Sequence, residues 1–282
     1  MTTTSSHPSA GAFHEWPLVA FTTLAILGAG LMAAPLIAWL VSGTTAAALD
    51  CIRLGAPLLG AGLAVATVHL GRPFRAPLAT LGLGRSRLSA EVAAAGVAVL
   101  LAIVTALLAP ASRASGLATS AAAIAFLVTL GLVYDLPGQQ TWRGVAAWTP
   151  LSSGLAVSVV GFAAISGAWG GRIAAVAAAA LLADTVLFAA RWNVILRSTA
   201  GPAPSHPGFH ARRTPLLAAR FALLDITPAF CLFAGLPTAA AALLAAGILV
   251  DRVGFYGFAS QRTTEGEIAQ VEDVIGSHAA SQ

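Results

Sequence analysis

Charge is what this sequence has least of. Only 9% of its 282 residues are Asp, Glu, Lys or Arg, while 57% are hydrophobic. A soluble domain carries about a quarter charged residues. This chain therefore cannot cover a water-facing surface, and the soluble-enzyme, nucleic-acid-binding and disordered classes fall away. Lysine is missing altogether, and fifteen arginines supply every basic side chain. Beside so much Ala and Gly, that absence reads as coding bias rather than chemistry. The net charge of +4 would suit a nucleic acid, but a basic excess also orients membrane proteins. The two cysteines, Cys51 and Cys231, are far apart in apolar surroundings and give neither a disulfide framework nor a metal motif. An iron–sulfur cluster normally takes four Cys ligands, so none is expected in this chain, and no metal. Residues 1–13 lack a positive n-region, and the apolar run that follows is too long for a signal peptide, so no cleavable leader is predicted.

What the chain does have is apolar length. Its mean hydropathy is +0.83, and its apolar residues come in runs of about 20, the length that crosses a hydrocarbon core of about 30 Å. Eight runs stand out: 17–41, 47–70, 88–110, 115–134, 150–168, 172–192, 215–235 and 237–258. In lipid each must be a helix, because every backbone polar group needs a partner within the segment. The predicted fold is an all-α integral membrane protein of eight transmembrane helices. A polar tail (1–16) precedes the membrane domain (17–258), and an acidic tail (259–282) follows it. Trp16-Pro17-Leu18 and Trp148-Thr149-Pro150-Leu151 open runs one and five alike, which fits two four-helix halves as well as plain interfacial chemistry. In the acidic tail, Ile268, Val271 and Ile275 have helical spacing; a short amphipathic helix and a solvated tail remain equal readings.

Eight crossings put both termini on one side, here called the A face. Twelve arginines lie on or near it (72, 75, 85, 87, 143, 191, 197, 212, 213, 220, 252, 262), against Arg53, Arg113 and Arg172 near the other face. Arginine excess marks the cytoplasm, so the A face is expected there. The long polar connections 71–87, 135–149 and 193–214 also lie on the A face, and function concentrates in such segments.

Of six histidines only His69 falls in an apolar run. A haem-b anchor takes axial ligands, usually pairs of His, from within its helices, so no haem is expected. His69 is instead an ionisable group at membrane depth, a functional candidate by default, and it titrates near neutrality. The alternative is an interfacial His bonded to a loop carbonyl. Glu91, just inside run three after Ser89, also has two readings: a residue placed by capping and the helix dipole, or a second proton acceptor beside His69. Arg72, Arg75, Arg85 and Arg87 ring the same mouth. Asp184 and Arg191 share a helix face seven residues apart, and Asp225 follows Arg220 by five. Carboxylates at this depth are expected to pair with arginine. Trp16, Trp142, Trp148 and Trp192 sit at A-face ends as an aromatic belt would.

Together these A-face stretches resemble one family, the membrane-anchor subunits of dimethyl sulfoxide reductase-type molybdoenzymes. The matching stretches are His14-Glu15-Trp16-Pro17-Leu18, His69-Leu70-Gly71-Arg72-Pro73 with Arg75-Ala76, Leu88-Ser89-Ala90-Glu91, Thr141-Trp142 with Trp148-Thr149-Pro150, and Gly254-Phe255-Tyr256-Gly257. They occur in the family's order across almost the whole chain. The resemblance implies a three-subunit enzyme of the bacterial cytoplasmic membrane: a molybdopterin catalytic subunit, a four-cluster iron–sulfur subunit, and this anchor. It implies that menaquinol is bound as substrate at the positions matching His69 and Glu91, with Arg72 and Arg75 beside them. It further implies docking of the iron–sulfur subunit around His14, Glu15, Trp16, Arg85, Arg87, Trp148 and Tyr256. The family's best-known enzymes carry their catalytic subunits outside the cytoplasm, whereas related anchors of cytoplasm-facing, sulfite-oxidising enzymes reduce quinone. The arginine bias here agrees with the latter face. A proton-coupled transporter using Asp184 and Asp225 is the alternative from another class.

Overall fold

The structure is a computed structural model and describes residues 16–41, 46–69, 82, 86–135, 143–197 and 212–258; side chains of residues 68, 69 and 197 are not among those described. The expected tails 1–15 and 259–282 lie outside the described residues. Each of the eight apolar runs is a helix long enough to span a bilayer. They are α1 (Trp16–Val41), α2 (Ala46–His69), α3 (Arg87–Leu108), α4 (Arg113–Val133), α5 (Gly144–Ser166), α6 (Gly171–Arg197), α7 (Arg213–Phe233) and α8 (Pro237–Gly257).

Two boundaries differ from expectation. Helix α5 starts six residues early, because Gly144–Trp148 winds as a 3₁₀ turn directly into Thr149. Helix α6 continues past residue 192 to Arg197, with Ile195 fully enclosed.

Enclosure grades from centre to rim. Of its most apolar stretch, 72% is buried in α5 and 61% in α1, against 28% in both α3 and α6. Helices α1 and α5 pack on each other, and the rest gather around them. The two helix-opening Trp-Pro motifs thus start the central pair. Helix α1 meets α2 almost backbone to backbone: a Cβ at Gly28 would lie 2.7 Å from the Gly55 carbonyl oxygen and 2.5 Å from Leu59 N. Small residues permit this approach where lipid supplies no hydrophobic drive between helices.

Proline breaks are repaired from neighbouring helices. Helix α1 loosens at Ala33 ahead of Pro35, where the Ser120 hydroxyl of α4 bonds the Ala33 carbonyl at 3.2 Å and accepts from Leu36 N at 3.2 Å. Two π-turns, Val104–Leu108 and Ala222–Ile226, lie just before Pro110 and Pro228. Proline has no N–H to return to the carbonyl four residues back, and the wider turn re-satisfies the ladder.

Candidate functional site

Helix α3 begins at Arg87, with Ser86 in the N-cap position and making no side-chain cap bond. The expected cap, Ser89, is instead buried within the first turn. Glu91 therefore falls in the second turn, beyond the reach of the dipole, so the capping explanation for it is lost. Its side chain is 5% exposed, and Oε1 finds no hydrogen-bond partner among the described residues. A buried carboxylate oxygen without a partner is costly, so Oε1 calls for a ligand, a proton or a group outside the described residues.

The A-face ends around Glu91 are tied together. The Arg87 guanidinium donates to the carbonyls of Leu132 at 2.8 Å and Asp135 at 2.6 Å, fastening the start of α3 to the end of α4. Gly144 N donates to the Asp135 carboxylate at 3.0 Å. A Cβ on Gly131 would collide with the Ala147 carbonyl, so α4 and the 3₁₀ turn of α5 are in direct backbone contact. Helix α2 packs on α3 and ends at His69 on the same face; the His69 side chain lies outside the described residues, as do His14, Glu15, Arg72, Arg75, Arg85 and the Thr141-Trp142 pair.

The remaining expected docking residues divide. Trp16 and Trp148 are 60% and 45% exposed on the A face. Arg87 is exposed but engaged with α4. Tyr256 is 3% exposed, with its hydroxyl 2.7 Å from that of Tyr134, so it packs against the inside of this chain. Its neighbour Phe255 meets Tyr134 edge-on and has two guanidiniums over its ring, Arg252 at 4.7 Å and Arg191 at 5.0 Å from the centroid.

Below this layer six charges are buried together. Arg220 of α7 forks onto Asp184 of α6 and, at 2.5 Å, Asp225 of its own helix, with Asp251 of α8 at 3.5 Å. Arg191 pairs with Asp251 at 3.0 Å, and Arg252 pairs with the same carboxylate while donating to the Thr149 hydroxyl at 3.1 Å. Ser152 and Ser153 of α5 donate to Asp184 at 2.6 and 2.9 Å, and Thr185 donates to Asp225 at 2.9 Å. Three arginines balance three aspartates, so the cluster is neutral. The sequence pairing of Asp225 with Arg220 holds, but that of Asp184 with Arg191 does not. Two helical turns separate those two by about 10 Å along the axis, and each takes a closer partner from another helix.

Asp251 and Tyr134 escaped the sequence reading. Its place beside Arg252 inside the run 237–258 could have flagged the first. The second carried a fainter signal: the chain has only two tyrosines, both at A-face helix ends, where an aromatic belt accounts for them.

Eight membrane-spanning helices with a polar layer at one face define a multi-pass integral membrane protein. Residues 10–258 match the family model of the DMSO reductase anchor subunit (DmsC), and the chain belongs to that family. No curated protein matches its sequence. Family membership makes the chain the membrane anchor of a DMSO reductase-type complex, with catalytic and iron–sulfur subunits as partners.

Proposed function

We propose that this anchor binds menaquinol at the A-face mouth between the end of α2 and the start of α3, with His69 and Glu91 as proton acceptors. The observation that carries the reading is Glu91, buried one turn below Arg87 with an oxygen left unpartnered among the described residues. Quinol oxidation releases two electrons and two protons. A carboxylate on one hydroxyl and an imidazole on the other take the protons as general bases, while the electrons pass to an iron–sulfur cluster of the docked subunit. Arg72 and Arg75, which lie outside the described residues, are assigned to the quinol site from the family resemblance alone, and exposed Trp16 and Trp148 offer docking surface on the A face. The test compares two assays on membranes holding the whole complex. Glu91→Gln and His69→Ala should each abolish menaquinol-driven turnover, yet leave activity from an artificial donor to the soluble subunits intact. Menaquinol turnover at the unsubstituted rate in both variants would refute the roles.

The A face is proposed as cytoplasmic, with both termini there. Buried in a neutral cluster, Arg191, Arg220 and Arg252 no longer count toward the bias, but the remaining arginines still favour the A face by a wide margin. That orientation supports a second reading, an anchor whose site runs in reverse and reduces quinone for a cytoplasm-facing, sulfite-oxidising enzyme. The transporter alternative draws no support, since Asp184 and Asp225 close on one guanidinium.

A further inference from the structure

Glu91 as proton acceptor raises a problem of return. The carboxyl must lose its proton before the next quinol arrives, and at 5% exposure it has little contact with water. Toward the same A face lie the chain's only two tyrosines, 122 residues apart in sequence, in a 2.7 Å hydroxyl contact. The register is set by Arg87, one turn above Glu91, which grips the carbonyls on either side of Tyr134 in sequence, those of Leu132 and Asp135. Arg87 thereby ties the helix start that carries Glu91 to the end of α4 that carries Tyr134. Tyr256 is the inner member, buried at 3%. Tyr134 is the outer member, half-buried at the end of α4, next to Asp135, whose side chain is 29% exposed.

We propose that the Tyr256–Tyr134 pair is the exit by which the proton taken by Glu91 leaves to the A face. The inference rests on the reading of Glu91 as a base for quinol. In each turnover the quinol gives two electrons, one at a time, to the partner's chain of iron–sulfur clusters, one proton to His69 and one to Glu91. The Glu91 proton enters the phenol pair as the far phenol proton moves on to water at the A face, and the pair returns to its starting state by hydroxyl rotation. The step thus balances without any phenolate or tyrosyl radical. Burial, with Tyr256 and Glu91 adding to it, holds the Tyr134 phenol well above its ordinary pKa, which suits a group that passes a proton while staying neutral. Neither tyrosine touches the quinol in this scheme; both act through Glu91.

Tyr134→Phe and Tyr256→Phe each remove one hydroxyl and keep the ring packing, so they are tested separately in the whole membrane complex, with turnover normalised to artificial-donor activity. Each should lower kcat for menaquinol oxidation about tenfold or more, below the usual range for a direct general base, leave KM unchanged, and enlarge the solvent deuterium isotope effect. A rise in KM with kcat and isotope effect unchanged would make the pair a wall of the pocket and overturn the exit. Unchanged kinetics in both variants would overturn it as well. Glu91→Gln, run alongside, separates the two levels. If it blocks turnover while both Phe variants run freely, only the exit fails; if it too turns over normally, the reading of Glu91 fails with it.

Discussion

Arg220 is 2% exposed and carries most of the ion-pair geometry at membrane depth. Its planar fork reaches Asp184 and Asp225 at once, with Asp251 at the Nε side, a geometry that a lysine ammonium cannot copy. Burying six charges is not in itself a source of stability. Removing one member is severe, because the partners stay buried and unpaired. Arg220→Leu is expected to destabilise the protein by about 3–5 kcal/mol, read as a fall in the thermal midpoint in detergent. Arg220→Lys should recover only part of that loss. A midpoint within error of the unsubstituted protein would mean that the carboxylates find water or other partners. Sequence reasoning saw that these carboxylates need arginine, because lipid leaves them no other option. It could not see which arginine Asp184 takes, because that choice is tertiary: Ser152 and Ser153 of α5 fix one Asp184 oxygen, which leaves the other for α7.

At the level of elements, the π-turn explains a pairing that α-helical geometry forbids. Five residues along an α-helix turn through about 500°, leaving Arg220 and Asp225 some 140° apart. The wider turn over Ala222–Ile226 brings them onto one face at 2.5 Å. Proline marks the place in the sequence, since both π-turns precede one, but tolerance of proline in membrane helices gave no reason to expect a π-turn rather than a kink. The number and the ends of the helices were legible within a few residues, because length and hydropathy are dictated by the bilayer itself. The early start of α5 was not, because Gly144–Trp148 is held by Asp135 and by contact with Gly131, which are partners from α4 and the residues after it. Gly131→Val should therefore push α4 from this turn, costing about 1–3 kcal/mol. By shifting Tyr134 it should also slow menaquinol turnover with artificial-donor activity retained. Unaltered melting and turnover would show that the two segments can separate freely.

Across the whole molecule, function gathers at one end. Exposed Trp16 and Trp148, the Glu91 mouth, the tyrosine pair and the upper part of the ionic cluster lie toward the A face, while Trp39, Leu107, Leu108, Phe230 and Phe233 toward the other ends are exposed and mostly apolar. A green fluorescent protein fused after residue 282 is expected to fluoresce in cells, and alkaline phosphatase at the same site to stay inactive. The opposite result would place the A face outside the cytoplasm. The membrane span count and the family were legible before any coordinates; the state of Glu91 was not, since capping and catalysis predict the same residue at the same helix start. Its burial in the second turn takes away the capping reading. The most direct measurement is a single-turnover one: the intact complex, oxidised, is mixed with menaquinol and reduction of its iron–sulfur clusters is followed by absorbance. The account expects rapid reduction in the unsubstituted complex and none on the same timescale with Glu91→Gln. Cluster reduction at an equal rate in both would contradict it.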